Sequence, residues 1–304
     1  MDYNIGIKFE PVHVFMSSLH SYICRKSHKK IDLAPSWAQE TKEKLTPDFA
    51  QTLDDMLVNG DWNYAYLMAY FAPEGIGVEG FLTWFEQLSV HEMIELFVAS
   101  GNELPEEEIG VFKKRMLSVL RQWNEQYFKN VDPGILSALE QEKQERIQRL
   151  TEIHGEEFVD ETTNGMLFKS LPGFKELLLV PQYHFQPLNI VTKYGNRIIC
   201  HYNARIYLGD DSLIPSHDLR LLRSLGEKNR LKILRFLHQG PCTFTEIVSH
   251  LKLSKGITHD HISKLRSAGV LYAHFEGENL TEYSLRKRAL GQLQERLFRY
   301  IEAE

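Results

Sequence analysis

Along the last third of this 304-residue chain, apolar and polar positions fall into short segments of differing period. After Gly226, the residues Leu231, Ile233, Leu234, Phe236 and Leu237 recur at helical spacing, and Gly240-Pro241 stops the run. Thr243 and Glu246 form a capping box that opens a short helix with Ile247, Val248 and Leu251 turned inward. A tight turn at Lys252-Leu253 follows. Ser254 caps the next helix, in which Ile257 or Thr258, with Ile262 and Leu265, makes the inward stripe, and Gly269 supplies the left-handed residue that ends it. Residues 270–275 and 280–285 are β-rich and flank Glu276, Gly277, Glu278 and Asn279, which spells a hairpin. Two short helices around a tight turn, then a hairpin, are a winged helix-turn-helix, whose second helix enters the DNA major groove.

The preceding two-thirds predicts mainly helices. Val12, Phe15, Met16, Leu19, Tyr22 and Ile23 share one face; Thr46-Pro47 starts a helix that stops before Gly60; Asp61 caps one over 62–71. Ser89 and Glu92 form a capping box for a helix ending at Gly101. Glu106, Glu107 and Glu108 favour the first turn of a long helix to about residue 128, and Asp132-Pro133 opens another to about 154. On that last helix Glu140, Glu142, Lys143, Glu145, Arg146 and Arg149 suit an exposed face with i,i+4 pairs. Residues 176–180, 188–194 and 197–202 read as strands, the last two joined as a hairpin through Tyr194, Gly195 and Asn196. The expected fold is α+β and mainly helical: a helical domain with a small sheet over 1–207, a linker at 208–217, and a winged helix-turn-helix with a terminal helix over 218–304. The segment from about 216 is expected to bind DNA by itself.

The residues Ser224, Leu225, Gly226, Asn229, Arg230, Leu231 and Leu234, then Leu253, Ser254, Lys255, His259, Ile262, Leu265, Arg266, Ala268, Gly269 and Val270, resemble the winged-helix repressors of the ArsR type. That resemblance implies a homodimeric bacterial transcription regulator, usually a repressor, with a recognition helix over 255–268. The front of the chain is similar to the helical domain ahead of the winged helix in some ArsR-like regulators. With Ile262 and Leu265 inward, Lys255, Thr258, His259, Asp260 and Ser263 are expected to face the groove, and Lys264 and Arg266 the DNA backbone. Metal-sensing members carry a Cys-x-Cys pair where this chain has Thr243 and Thr245. Cys242 stands alone beside them, and residues 291–304 contain no His, so neither family metal site is expected. Glu276 and Glu278 replace the basic wing tip common in the family, so the wing is expected to add little affinity.

Charge agrees with this division. The chain carries −6 overall, but residues 217–304 hold 15 Lys/Arg against 10 Asp/Glu, net +5, and residues 1–216 hold 20 against 31, net −11. Leu290, Leu293, Leu297 and Ile301 beside Phe298 give the terminal helix an apolar stripe suited to a homodimer. Three scattered cysteines imply no disulfide framework, the N-terminus lacks a secretion-signal layout, and no apolar run reaches membrane-spanning length; a cytoplasmic protein off the membrane is expected.

No nucleotide-binding glycine loop, zinc-hydrolase helix or nucleophile elbow is present, so neither catalysis nor a cofactor is expected. Trp62, Tyr66, Tyr70 and Trp84 lie in an aromatic-rich stretch that either lines a pocket for a small-molecule effector or is plain core. Two function classes therefore stand: a regulator that binds double-stranded DNA, and a protein-interaction module whose winged helix docks a partner protein.

Overall fold

The computed structural model describes residues 2–33, 36–101, 104–208 and 214–302. In chain order the elements are β1 (Asn4–Ile7), α1 (Pro11–Ile23), α2 (Trp37–Lys44), α3 (Pro47–Asp55), α4 (Asp61–Phe71), α5 (Gly77–Gln87), α6 (Val90–Ala99), α7 (Glu106–Gln126) and α8 (Pro133–Glu152). Then come α9 (Gly155–Thr163), β2 (Met166–Phe168), β3 (Glu176–Gln182), β4 (Ile190–Tyr194), β5 (Arg197–Asn203) and α10 (Ser216–Leu225). The chain closes with α11 (Lys228–Leu237), α12 (Phe244–Leu251), α13 (Lys255–Ser267), β6 (Leu271–Glu276), β7 (Asn279–Leu285) and α14 (Lys287–Glu302). The fold is α+β and mainly helical.

Two compact units divide the chain: Asn4–Ile147 with Lys175–Ile206, and Met1–Tyr3 with Gln148–Phe174 and Tyr207–Glu304. This differs from the expected domains 1–207 and 218–304, because residues 148–174 pack with the winged helix. Of the expected linker 208–217, residues 209–213 lie outside the described residues, and Ser216 and His217 already open α10.

In the N-terminal unit the strands run in the order β1-β3-β5-β4, with β1 and β5 parallel to β3 and β4 antiparallel to β5. The near-continuous apolar run of β3 fits a strand covered on both faces. The hairpin joining β4 and β5 turns at Gly195, whose φ of +56° favours glycine. Helix α1 is buried almost all round, its polar His13, Ser17, Ser18 and Ser21 included, with Val14, Phe15, Met16 and Leu19 fully buried, which places it at the centre of this core. Truncating Phe15 to alanine would cost about 3–5 kcal/mol.

The C-terminal unit packs Leu221 of α10, Ile233 and Leu237 of α11, Ile247 of α12, Ile262 and Leu265 of α13 and Val270 into one core. Its sheet has the order β2-β6-β7; β2 lies parallel to β6, with Met166 opposite Ala273. The segment that carries β2 is held by more than this ladder. Arg286 Nε donates to Asp160 of α9 at 2.6 Å, both side chains being buried, and Arg286 also donates to Asn164 Oδ1 and the Gly269 carbonyl at 3.0 Å each. Gly165, with φ +106°, sits where a Cβ would come within 2.6 Å of the Leu271 carbonyl oxygen, so the chain passes here only as glycine.

Candidate nucleic-acid interface

The helix-turn-helix is built from local capping. Glu227 accepts the Arg230 amide at 2.8 Å to start α11. Thr243 and Glu246 close a reciprocal capping box on α12, as their spacing predicts. Lys252 ends α12 in the left-handed conformation (φ 55°), which makes the tight turn, and Ser254 Oγ accepts the Ile257 amide at 3.3 Å to start α13. Gly269 follows α13 with φ +72°.

These caps fix the rotation of α13. Lys255, Gly256, Ile257, His259, Asp260 and Lys264 are exposed and Ser263 is partly so, which leaves one polar face open at the start of the helix. Thr258 is not on it. It is 0 % exposed and heads the inward stripe Thr258, Ile262, Leu265, spaced by four and three residues; Ile257, one position earlier, turns outward and is 50 % exposed. The expectation of Thr258 in the groove is therefore corrected, and Ile257 takes the open position. Arg266 is partly exposed, with its side chain towards Tyr283, and burial lowers its pKa. Asp260 and Lys264 pair across one helical turn at 2.8 Å, and the His259 ring lies edge-on to Phe244, 6.4 Å between centroids.

The charge is more local than an even split of the chain suggests. Adding residues 1–3, 148–174 and 207–216 to the C-terminal third brings 2 Lys/Arg and 8 Asp/Glu, so the unit as folded carries −1 rather than +5. Much of the added acid is spent internally: Arg149 meets Glu161, and Arg288 meets Glu157 and Asp160. Between residues 220 and 266, however, 10 Lys/Arg stand against 3 Asp/Glu, net +7. Lys228, Lys232 and Arg235 of α11 and Lys252 of the turn are exposed members of that set, and motif spacing gave no reason to single them out. At the wing, Glu276 pairs with Lys169 at 2.7 Å.

The other candidate sites come out differently. Cys242 is tied by backbone bonds to Tyr283 at 2.9 and 2.8 Å, and burial with Glu246 and Glu282 nearby raises its pKa, so it stays a thiol. Among the described residues no group of three His, Cys, Asp or Glu side chains is placed to hold a metal. The four aromatics do not converge on one pocket. Trp62 stacks on His20 and Tyr66 meets both, whereas Tyr70 bonds Arg197 and Trp84 lies against Phe81. No helix among the described residues is long and apolar enough to cross a membrane.

The geometry defines a winged helix-turn-helix, and the comparisons give its kind. Residues 227–273 match the family described as bacterial regulatory protein, arsR family. The HTH-type transcriptional regulator CmtR of Mycobacterium bovis (strain ATCC BAA-935 / AF2122/97) is 36% identical over 78 residues, 24% of this chain and 65% of that protein. CmtR from two strains of Mycobacterium tuberculosis, CDC 1551 / Oshkosh and ATCC 25618 / H37Rv, aligns with the same figures. The chain thus spans just under two-thirds of the length of the curated relatives it matches. No solved structure matches it. The C-terminal segment is an ArsR-type helix-turn-helix, carried by a chain with a large additional N-terminal part.

Proposed function

We propose that this protein is a DNA-binding transcriptional regulator that acts as a repressor, binds as a homodimer and takes an effector in its N-terminal unit. The observation that carries the reading is the open face at the start of α13, set in a segment of net +7 that matches the arsR family. Lys255, His259 and Asp260 offer hydrogen-bonding groups to base edges, Ile257 an apolar contact for a thymine methyl, and the α11 and turn lysines meet phosphates. Support for a dimer comes from α14, where Phe298, Tyr300 and Ile301 are exposed beside half-buried Leu293 and Leu297. The CmtR proteins, named as HTH-type transcriptional regulators, support regulation.

The test is fluorescence anisotropy of the full chain on duplex DNA from upstream of its own coding sequence, across salt concentrations. Binding that weakens steeply and log-linearly with salt, and that prefers this DNA to a scrambled duplex, is the expected result. The acidic wing residues Glu276 and Glu278 favour a second reading, a module that docks a partner protein. Affinity for DNA that is absent or indifferent to salt would select that second reading.

A further inference from the structure

Three histidines meet inside the N-terminal unit. His13 and His20 lie seven residues apart, on one face of α1, and His201 comes from β5. The His13 and His201 rings are 6.3 Å apart and nearly perpendicular; Tyr66 packs edge-on to His201 at 5.3 Å and its hydroxyl bonds His20 Nδ1 at 3.1 Å. Each histidine is buried or largely so.

Two of these rings present polar atoms with nothing to bond. The Glu10 amide donates to His13 Nδ1 at 3.1 Å, so the neutral ring carries its proton on Nε2. That Nε2–H is buried and has no hydrogen-bond partner among the described residues; His201 Nδ1 is likewise buried and unbonded, and the neutral His201 ring can carry its proton there. A buried polar atom left unbonded is unfavourable, and with the His201 proton on Nδ1 the two rings offer a pair of donors to one shared acceptor. A metal ion does not suit the pair: with Nδ1 already accepting from Glu10, Nε2 could ligate only as an imidazolate. An anionic oxygen does suit it. Lys8 and Lys143 are close enough to add, after burial and His201, to the downward push on the His13 pKa, although each lysine has a glutamate partner.

We infer that the N-terminal unit binds a small carboxylate, which accepts hydrogen bonds from His13 Nε2 and His201 Nδ1. This deepens the effector reading and rests on it only for its consequence at DNA, since binding is measured without DNA.

The experiment titrates the uniformly 15N-labelled full chain with sodium acetate and, separately, sodium benzoate at constant ionic strength, following the histidine ring nitrogens. Benzamide, the uncharged counterpart of benzoate, is the control. Saturable shifts of the His13 and His201 ring nitrogens with either carboxylate, at least tenfold weaker with benzamide, are expected. His201→Phe replaces the imidazole with a somewhat larger apolar ring and removes the donor, so it should lose at least tenfold in affinity; His201→Gln, which restores a donor, should recover part of that. Shifts absent up to tens of millimolar, equal shifts with benzamide, or undiminished binding by His201→Phe would each overturn the site. Saturable binding that leaves DNA affinity unchanged would keep the site and overturn the effector reading instead.

Discussion

At the scale of single residues, helix rotation decides more than residue type. Thr258 and His259 are neighbours with comparable hydrogen-bonding capacity, yet one is sealed in the core and the other open. The sequence allowed either Ile257 or Thr258 to point inward, because a polar threonine and an apolar isoleucine invite the opposite assignment. Packing takes Thr258, four and seven residues before Ile262 and Leu265, against the expectation that it faces the groove. Since the Thr258 hydroxyl is buried without a partner among the described residues, Thr258→Val removes an unsatisfied group at nearly constant volume. We predict a melting temperature unchanged or raised and DNA affinity kept; loss of DNA affinity at unchanged stability would return Thr258 to the groove. The buried histidines give a second prediction. Burial lowers the pKa of His20 to about 4, of His184 to about 3 and of His201 to about 4. In the unfolded chain each takes up a proton near 6.5, so below that pH the unfolded state binds more protons. Their contribution to stability is whole above pH 6.5 and declines as pH falls towards 4, by roughly 2 kcal/mol per ring at about pH 5. Denaturant melts at pH 7 and 5 check this; equal midpoints would contradict it.

At the scale of elements, what was legible is what is local. The α12 box at Thr243 and Glu246, the Ser254 cap, the α6 box at Ser89 and Glu92 and the hairpin of β4 and β5 are each set by residues a few positions apart, and each is present. The strands β1 and β2 were missed. They are four and three residues long, and their partners are remote: Asn4 pairs with Glu176 and Met166 with Ala273. Nothing within so short a run specifies a partner that distant. Helix α9 and β2 complete the winged-helix unit, and a fragment starting at about 216 would lack Asp160, the buried partner of Arg286. Breaking such a pair from one side typically costs about 3–5 kcal/mol. Asp160→Asn in the full chain should therefore lower the melting temperature clearly, and the fragment 216–304 should fold poorly, in contrast to the self-sufficient unit its motif suggests. A melting temperature unmoved by Asp160→Asn would contradict this.

At the scale of the whole molecule, net charge misleads in both directions. The overall −6 argues against nucleic acid, and the +5 of the last third overstates the case, because Asp160 of α9 pairs with buried Arg286 and with Arg288. The +7 between residues 220 and 266 is the quantity that bears on DNA. Affinity from that charge would be indifferent to sequence, whereas the open face of α13 is what could tell one duplex from another. The most direct measurement is the ratio of affinities of His259→Ala and of the unchanged protein for the upstream duplex and for random DNA, at one fixed salt concentration. The account predicts a loss of about 1–3 kcal/mol on the upstream duplex and little on random DNA. Equal losses on both would contradict base reading by α13 and leave His259 a phosphate contact.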